Sequence, residues 1–200
     1  MPIKKIITTL FTVLALSTGL RAQAAESPRH LWASLKTVTG ITRGQGDRAL
    51  YIFFDPNCPY CHDLYMTLRP LMTPKHLRVS WIPVGILTLT SYGKAAALLQ
   101  AKNPTQALDL AERNFRRAGD KLRPQRATVA VKRALLNNVA VLDGAEADGV
   151  PFLVYKDRRG LVHTVIGEPP QDALMRIISR LQVTPRASAQ KAAPQRQAPL

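Results

Sequence analysis

The sequence predicts an α/β fold in which a β-α-β half and a β-β-α half are separated by a helical insertion. Three observations support this prediction. An apolar, aromatic run at 49–54 has the length of a buried strand and leads into a helical pattern. Helical patterns rich in alanine and leucine occupy 91–138. Two short apolar runs, 151–155 and 161–166, flank a polar turn and are typical of a β-hairpin.

The first half consists of a strand, a helix and a strand. Apolar residues fill both faces of 49–54, which predicts a central, buried strand. Leucines at helical spacing predict a helix over 58–71, and Pro70 should kink or end it. Residues 78–84 form the second predicted strand, where Pro83 indicates imperfect pairing near the end.

A helical insertion follows the second strand. Alanine and leucine dominate 91–102, which predicts a helix. Pro104, directly after an asparagine, interrupts that pattern and begins a second helix that extends to about residue 117. After a loop, 127–138 has the pattern of a third helix.

The second half is a hairpin and a final helix. Gly160 lies in the polar segment between the two hairpin strands and supplies the turn. A Pro-Pro pair at 169–170 precedes the last helix, whose apolar residues recur on one face. That face consists of Leu174, Ile177, Ile178 and Leu181.

The first 24 residues have the pattern of a secretory signal peptide. Lys4 and Lys5 form a basic start, 6–20 is mostly apolar, and Ala-Gln-Ala at 22–24 fits the small-x-small cleavage rule. An uncleaved membrane anchor is the alternative, but the apolar stretch is short and rich in threonine and serine. We therefore expect residues 1–24 to be a cleaved leader and the protein to be exported, in a bacterial periplasm.

Composition predicts how the rest of the chain is organised. Residues 25–182 are long enough for one domain with a sizeable core. Residues 183–200 are basic, rich in alanine, proline and glutamine, and predicted to be a disordered tail. The net charge is +15, of which three positive charges lie in the predicted leader. The other basic residues are scattered and match no nucleic-acid motif, so we expect no nucleic-acid partner.

Cys58 and Cys61 are the only two cysteines, and Pro59 and Tyr60 separate them at the junction of predicted strand and helix. This spacing brings two sulfurs within one helical turn, and the free N–H groups at a helix N-terminus stabilise a thiolate. A structural disulfide across two residues would close almost no loop and would add little stability. The pattern therefore predicts a redox-active dithiol, with Tyr60 at the surface where it can contact a substrate.

The same segment matches two other kinds of site. Cys58, Cys61 and His62 form the attachment pattern of a c-type haem. A second axial ligand would then come from Met66, Met72 or Met175. Against a haem protein, the motif directly follows a buried strand in a chain with four predicted strands. A structural zinc site would need a second ligand pair, which the chain lacks, so we expect no metal and no organic cofactor.

Three segments carry a resemblance to a known family. Residues 54–61, with the sequence Phe-Asp-Pro-Asn-Cys-Pro-Tyr-Cys, together with 84–86 and 95–104, resemble the catalytic domain of the periplasmic disulfide isomerases of the DsbC/DsbG family. The resemblance covers roughly residues 30–181. It implies a thioredoxin fold with a helical insertion between its two halves.

The resemblance also implies a role for each matching residue. Cys58 would be the exposed nucleophile and Cys61 the buried resolving thiol. Pro151 would be the cis-proline that faces the dithiol. Val150 would present backbone groups to an extended substrate strand. The implied substrate-binding residues are Pro59, Tyr60, Val150 and Pro151.

Two departures from the family pattern change the expected activity. Val150 stands where the isomerases have threonine, and valine here is typical of the oxidase DsbA. About 24 residues lie between the leader and the first strand, too few for the family's N-terminal dimerisation module. We therefore expect a monomeric thiol:disulfide oxidoreductase that acts on protein thiols or disulfides, has weak isomerase activity and is recycled by a membrane redox partner. An accessory role in an envelope assembly machine is the alternative.

Overall fold

The computed structural model describes residues 27–115 and 122–184. Within these residues, five strands form one mixed sheet with the order β1-β3-β2-β4-β5. The strands are β1 Ile41–Arg43, β2 Arg48–Phe54, β3 Leu77–Pro83, β4 Phe152–Lys156 and β5 Val162–Ile166. The helices are α1 Pro28–Ser34, α2 Pro59–Leu68, α3 Ser91–Gln100, α4 Pro104–Arg113, α5 Val129–Gly144 and α6 Gln171–Arg180.

The strand directions bring four chain segments to one edge of the sheet. β2 runs parallel to β3, and β4 runs antiparallel to β2, so that Phe53 pairs with Phe152. β5 returns antiparallel to β4 and pairs its last residue, Ile166, with Phe152. The ends of β2, β3 and β5 therefore lie beside the start of β4, and the loops at this edge can form a site.

Helices cover both faces of the sheet. Because side chains alternate along a strand, Leu50, Ile52 and Phe54 of β2 face one layer and Phe53 faces the other. The first layer contains α2, α3, α4 and α6, and the second contains α1 and α5. A strand covered on both faces is rich in apolar residues, and the apolar run at 49–54 predicted this central position.

The four predicted strands are confirmed, each end lying within one residue of the observed bound. The helices over 58–71, 91–102 and 103–117 are also found, with shorter bounds. Pro70 has no N–H to donate, and the chain at this point forms a 3₁₀ turn, Arg69–Leu71, after α2 has ended.

Two short elements and one long helix differ from the prediction. α1 and β1 were not predicted, because seven and three residues are too few for a periodic pattern. α5 continues six residues past Asn138, the expected end. Asparagine disfavours helix interiors because it competes for backbone groups. Here Asn138 is buried and its side chain instead bonds the backbone of Thr39 and the carbonyl of Pro83, each at 2.9 Å.

The predicted leader and most of the predicted tail lie outside the described residues. Val183 and Thr184, the first two residues of that tail, are described and bonded to the body of the fold. Val183 forms a bridge with Arg48, and the Thr184 N–H donates to the Asp47 carbonyl at 2.7 Å. Across the part of the chain that the structure describes, none of the helices combines the length and apolarity needed to cross a membrane.

Candidate active site

A tight turn connects β2 to α2 and places Cys58 at the helix start. The Asn57 N–H donates to the Asp55 carboxylate at 2.8 Å, and the Cys58 N–H donates to the Asp55 carbonyl at 3.0 Å. Aspartate favours such turns because its short side chain can accept from the backbone two residues ahead. Cys58 is the N-cap, and Pro59 occupies the first helical position, where its missing N–H is harmless.

The Cys58 sulfur occupies the capping position that a serine or aspartate oxygen fills in other helices. It accepts the Cys61 N–H at 3.2 Å and lies 3.5 Å from the Val150 carbonyl, to which the thiol can donate. The expectation of an exposed nucleophile is wrong for this state, since Cys58 is only 2 % exposed. The loop that carries Val150 covers the sulfur; the family resemblance placed this loop at the dithiol but did not predict that the sulfur is buried.

The pKa values of the two thiols are shifted in opposite directions. The Cys61 thiol donates to the Cys58 sulfur, and this bond, with the N–H groups of Cys61 and Tyr60, lowers the pKa of Cys58 below that of an ordinary thiol. Burial raises the pKa of Cys61 strongly, and donation of its proton to Cys58 raises it further. Cys61 is 1 % exposed. The geometry therefore favours ionisation of Cys58 before Cys61, with a protonated thiol behind the Cys58 sulfur.

The other predicted site residues surround this pair. The Val150–Pro151 peptide bond is cis, and the Pro151 carbonyl accepts the Gly167 N–H at 2.8 Å, which ties the loop to the end of β5. Tyr60 lies at the surface, 62 % exposed, and Pro59 beside it is partly buried. The structure thus brings Pro59, Tyr60, Val150 and Pro151 to the edge of the sheet where Cys58 lies.

His62, a haem ligand in one alternative from the sequence, is engaged with α4. Its Nδ1 lies 3.0 Å from the carboxylate of buried Glu112, and its ring stacks on Phe115 with 4.6 Å between centroids. Among the described residues, no three histidine, cysteine, aspartate or glutamate side chains are grouped so that they could bind a metal. Glu112 was not singled out from the sequence, because its nearness to His62 depends on how the helical insertion packs.

Asp55 is the main site residue that sequence reasoning missed. Its carboxylate accepts from Ile86 N–H at 2.6 Å, Leu87 N–H at 3.0 Å and Ser91 Oγ at 2.7 Å, in addition to Asn57. An aspartate two residues before an asparagine at a helix start is a turn signal that could have identified the first contact. The contacts with the loop after β3 follow only from the parallel pairing of β2 and β3.

Comparisons with known proteins agree with this architecture. A family model described as "Thioredoxin-like domain" matches residues 35–182. The thiol:disulfide interchange protein DsbG of Pseudomonas aeruginosa is 30% identical over 155 residues, which are 75% of this chain and 59% of that protein. DsbG of Escherichia coli is 24% identical over 155 residues, 75% of this chain and 61% of its own length. The chain therefore spans about three fifths of the length of these curated relatives.

Solved structures show the same fold at lower identity. The catalytic domain of Proteus mirabilis ScsC matches with a TM-score of 0.62 and 17% identity, over 77% of this chain and 97% of that one. A periplasmic thioredoxin-like protein from Salmonella enterica serovar Typhimurium matches with a TM-score of 0.60 and 18% identity, over 74% and 94% of the two chains. These matches confirm the thioredoxin fold that the sequence predicted. By its fold and by the family model that covers most of its length, the chain belongs to the thioredoxin-like family.

Proposed function

We propose that this protein is a thiol:disulfide oxidoreductase that exchanges disulfides with protein substrates through Cys58 and Cys61. One observation carries the proposal: the Cys58 sulfur caps α2 and accepts the Cys61 N–H, while Cys61 is buried with a raised pKa. A thiolate is the nucleophile in disulfide exchange. The names of the two DsbG relatives support the same chemistry.

The exchange proceeds through two displacements. The Cys58 thiolate attacks one sulfur of a substrate disulfide, forming a mixed disulfide, and the other substrate sulfur leaves as a thiolate that takes a proton from water. Cys61 then attacks the Cys58 sulfur, which releases the second substrate thiolate and leaves a Cys58–Cys61 disulfide, while the Cys61 proton passes to the departing thiolate. The reverse sequence oxidises a substrate dithiol. Neither displacement requires a metal or an organic cofactor.

The substrate segment is proposed to lie along the Val150–Pro151 loop. The Val150 carbonyl already contacts the Cys58 sulfur at 3.5 Å, so a chain bonded to that sulfur would pass this backbone. Tyr60, exposed beside the dithiol, offers an aromatic surface to the same chain. Pro59 and Pro151 restrict the backbone on either side of this proposed substrate path.

The haem alternative fits this geometry poorly. Thioether attachment would place a large macrocycle against both sulfurs, but Cys58 and Cys61 belong to the buried core cluster. The His62 ring is held by Glu112 and Phe115 rather than directed at an open cavity. Both features favour a dithiol.

The proposed setting is an oxidising, exported compartment. A protein of this fold from Salmonella is named periplasmic, and disulfides persist in that compartment. A dithiol that turns over must be re-oxidised or re-reduced, and we propose a membrane redox protein as the recycling partner. The +15 net charge of the chain would favour partners with acidic surfaces.

The variant Cys61→Ser tests the proposed function directly. It retains the attacking sulfur but has no resolving thiol, so mixed disulfides with protein substrates should accumulate as bands that disappear on reduction. Non-reducing electrophoresis of the purified variant, incubated with a disulfide-containing model protein such as insulin, measures this. The double variant with Cys58→Ser is the matched control and should give no such bands. Wild-type protein that neither reduces nor oxidises a model substrate would refute the proposal.

We also expect a monomer with weak isomerase activity. The high net positive charge opposes self-association at low salt. A monomer has one dithiol, so two dithiols cannot face each other across a shared cleft. Light scattering at micromolar concentration should give a mass of one chain. Refolding of a protein with scrambled disulfides should be slower than simple oxidation of a reduced one. A stable dimer with strong isomerase activity would contradict both expectations.

A further inference from the structure

Asp55 is a buried carboxylate close to the dithiol that the proposed exchange does not use. It lies three residues before Cys58 and is 1 % exposed. One carboxylate oxygen accepts from the Asn57 N–H and the Ser91 hydroxyl, and the other accepts from two backbone N–H groups, those of Ile86 and Leu87. Four donors thus converge on one side chain.

The donors indicate that Asp55 is ionised. Backbone N–H groups only donate, and each carboxylate oxygen faces at least one of them, so neither oxygen is placed to carry a proton. Among the residues the structure describes, no basic side chain lies within ion-pair distance of this carboxylate. The negative charge is therefore held by dipoles and remains uncompensated by a positive charge.

The negative charge of Asp55 shifts the redox equilibrium of the dithiol in one direction. A fixed negative charge in a poorly solvated site repels a nearby thiolate but has no such effect on a neutral disulfide. It therefore destabilises the reduced, thiolate form relative to the oxidised form. Its effect opposes the bonds from Cys61 and Tyr60, which stabilise the Cys58 thiolate. Burial also raises the pKa of Cys58, and a second carboxylate, that of Glu112, raises the pKa of Cys61. The loop after α5 contributes the uncharged Val150 carbonyl.

We propose that Asp55 is a positioning residue whose buried carboxylate, fixed by four donors, makes the Cys58–Cys61 pair more reducing than a neutral side chain at this position would. The bonds from Ile86 and Leu87 also hold the loop after β3 against the turn that precedes α2. This inference rests on the proposed function, because it concerns the potential of the pair that carries out the exchange.

Two variants separate the charge from the structural role. Asp55→Asn removes the charge and keeps the size of the side chain, but its amide nitrogen replaces one accepting oxygen and so loses at least one of the four bonds. Ser91→Ala removes one donor and keeps the charge. If the charge sets the potential, the two changes act differently. Asp55→Asn should make the pair more oxidising, whereas Ser91→Ala leaves the charge less stabilised and should change the potential little or make it more reducing.

The measurement is the equilibrium of each purified protein with reduced and oxidised glutathione. Two glutathione thiols reduce the Cys58–Cys61 disulfide to the dithiol and form one glutathione disulfide. Asp55→Asn should shift this equilibrium about tenfold toward the dithiol at a pH above the Cys58 titration, which corresponds to about 30 mV. Thiolate absorbance of the reduced protein should show Cys58 titrating at lower pH in the same variant.

Each outcome decides the proposal. No shift in Asp55→Asn, or an equal shift toward oxidising potential in Ser91→Ala, would overturn it in favour of a purely structural role. If Asp55→Asn fails to fold, Asp55→Ser provides the same neutral test, and a clear shift of Ser91→Ala toward an oxidising potential overturns the proposal without either variant. The potential is measured without a protein substrate, so a protein that equilibrates with glutathione but exchanges with no protein would refute the proposed function alone.

Discussion

Cys58→Ser is expected to abolish disulfide exchange, with a loss of more than about a thousandfold in rate. A serine hydroxyl does not ionise near neutral pH, so the bonds from the Cys61 N–H and thiol would stabilise no nucleophile. Cys61 cannot take over, because it is buried and its pKa is raised. Reduction of a model disulfide, followed by turbidity or by a fluorescent leaving thiol, measures the loss.

The pH dependence of the wild-type rate tests the same assignment. Because the pKa of Cys58 is lowered, the rate should rise with pH and level off below the range in which an ordinary thiol ionises, about pH 8.5. Cys61→Ala is the matched control: it removes the side chain that donates to the Cys58 sulfur, so the rate of its first attack should level off at higher pH.

Alkylation order provides an independent check. With limiting reagent, Cys58 should be labelled before Cys61, although both are nearly buried, because alkylation follows the thiolate fraction. Mass spectrometry of the labelled peptides identifies the site. Labelling of Cys61 first would contradict the assignment of nucleophile and resolving thiol.

The sequence predicted the parts of this site that depend on local chemistry. The apolar strand before Asp55, the cysteine spacing and the proline at the first helical position all act within a few residues of one another. They determine where α2 starts and which sulfur caps it. The same holds for the hairpin at Gly160, whose φ of 79° favours glycine.

Other parts depend on contacts between distant segments, and only the family resemblance, not a local pattern, placed the Val150–Pro151 loop at the dithiol. Val150 lies 92 positions from Cys58 along the chain, yet its loop covers the sulfur. Asp55 contacts Ile86 and Leu87 because β2 and β3 are parallel neighbours. No local pattern in a single sequence encodes either contact. The burial of Cys58 and the role of Asp55 therefore became visible only in the folded chain.

Phe54→Ala should strongly destabilise the core next to the site. Phe54 is 0 % exposed, and its ring packs edge-to-face on Trp81 with 5.7 Å between centroids. It belongs to the same buried cluster as Cys58 and Cys61. Truncating a buried phenylalanine removes its transfer free energy and leaves a cavity, which lowers the free energy of unfolding by about 3–5 kcal/mol. For a domain of this size the midpoint of thermal unfolding should fall by roughly 10 °C or more.

Leu161→Ala is the matched control for this substitution. This substitution also removes a large apolar side chain. Because Leu161 is 53 % exposed in the turn before β5, its removal leaves no cavity. The free energy of unfolding of the Leu161→Ala variant should differ from that of the wild type by less than about 0.5 kcal/mol. Urea unfolding followed by circular dichroism, with the dithiol kept reduced in all samples, compares the two variants without a contribution from the disulfide. A loss below about 1 kcal/mol in Phe54→Ala would mean that the layer beneath the dithiol repacks around the missing ring. The rigid support for the turn at Asp55 and Cys58 would then have to come from the hydrogen bonds of Asp55 and Asn57.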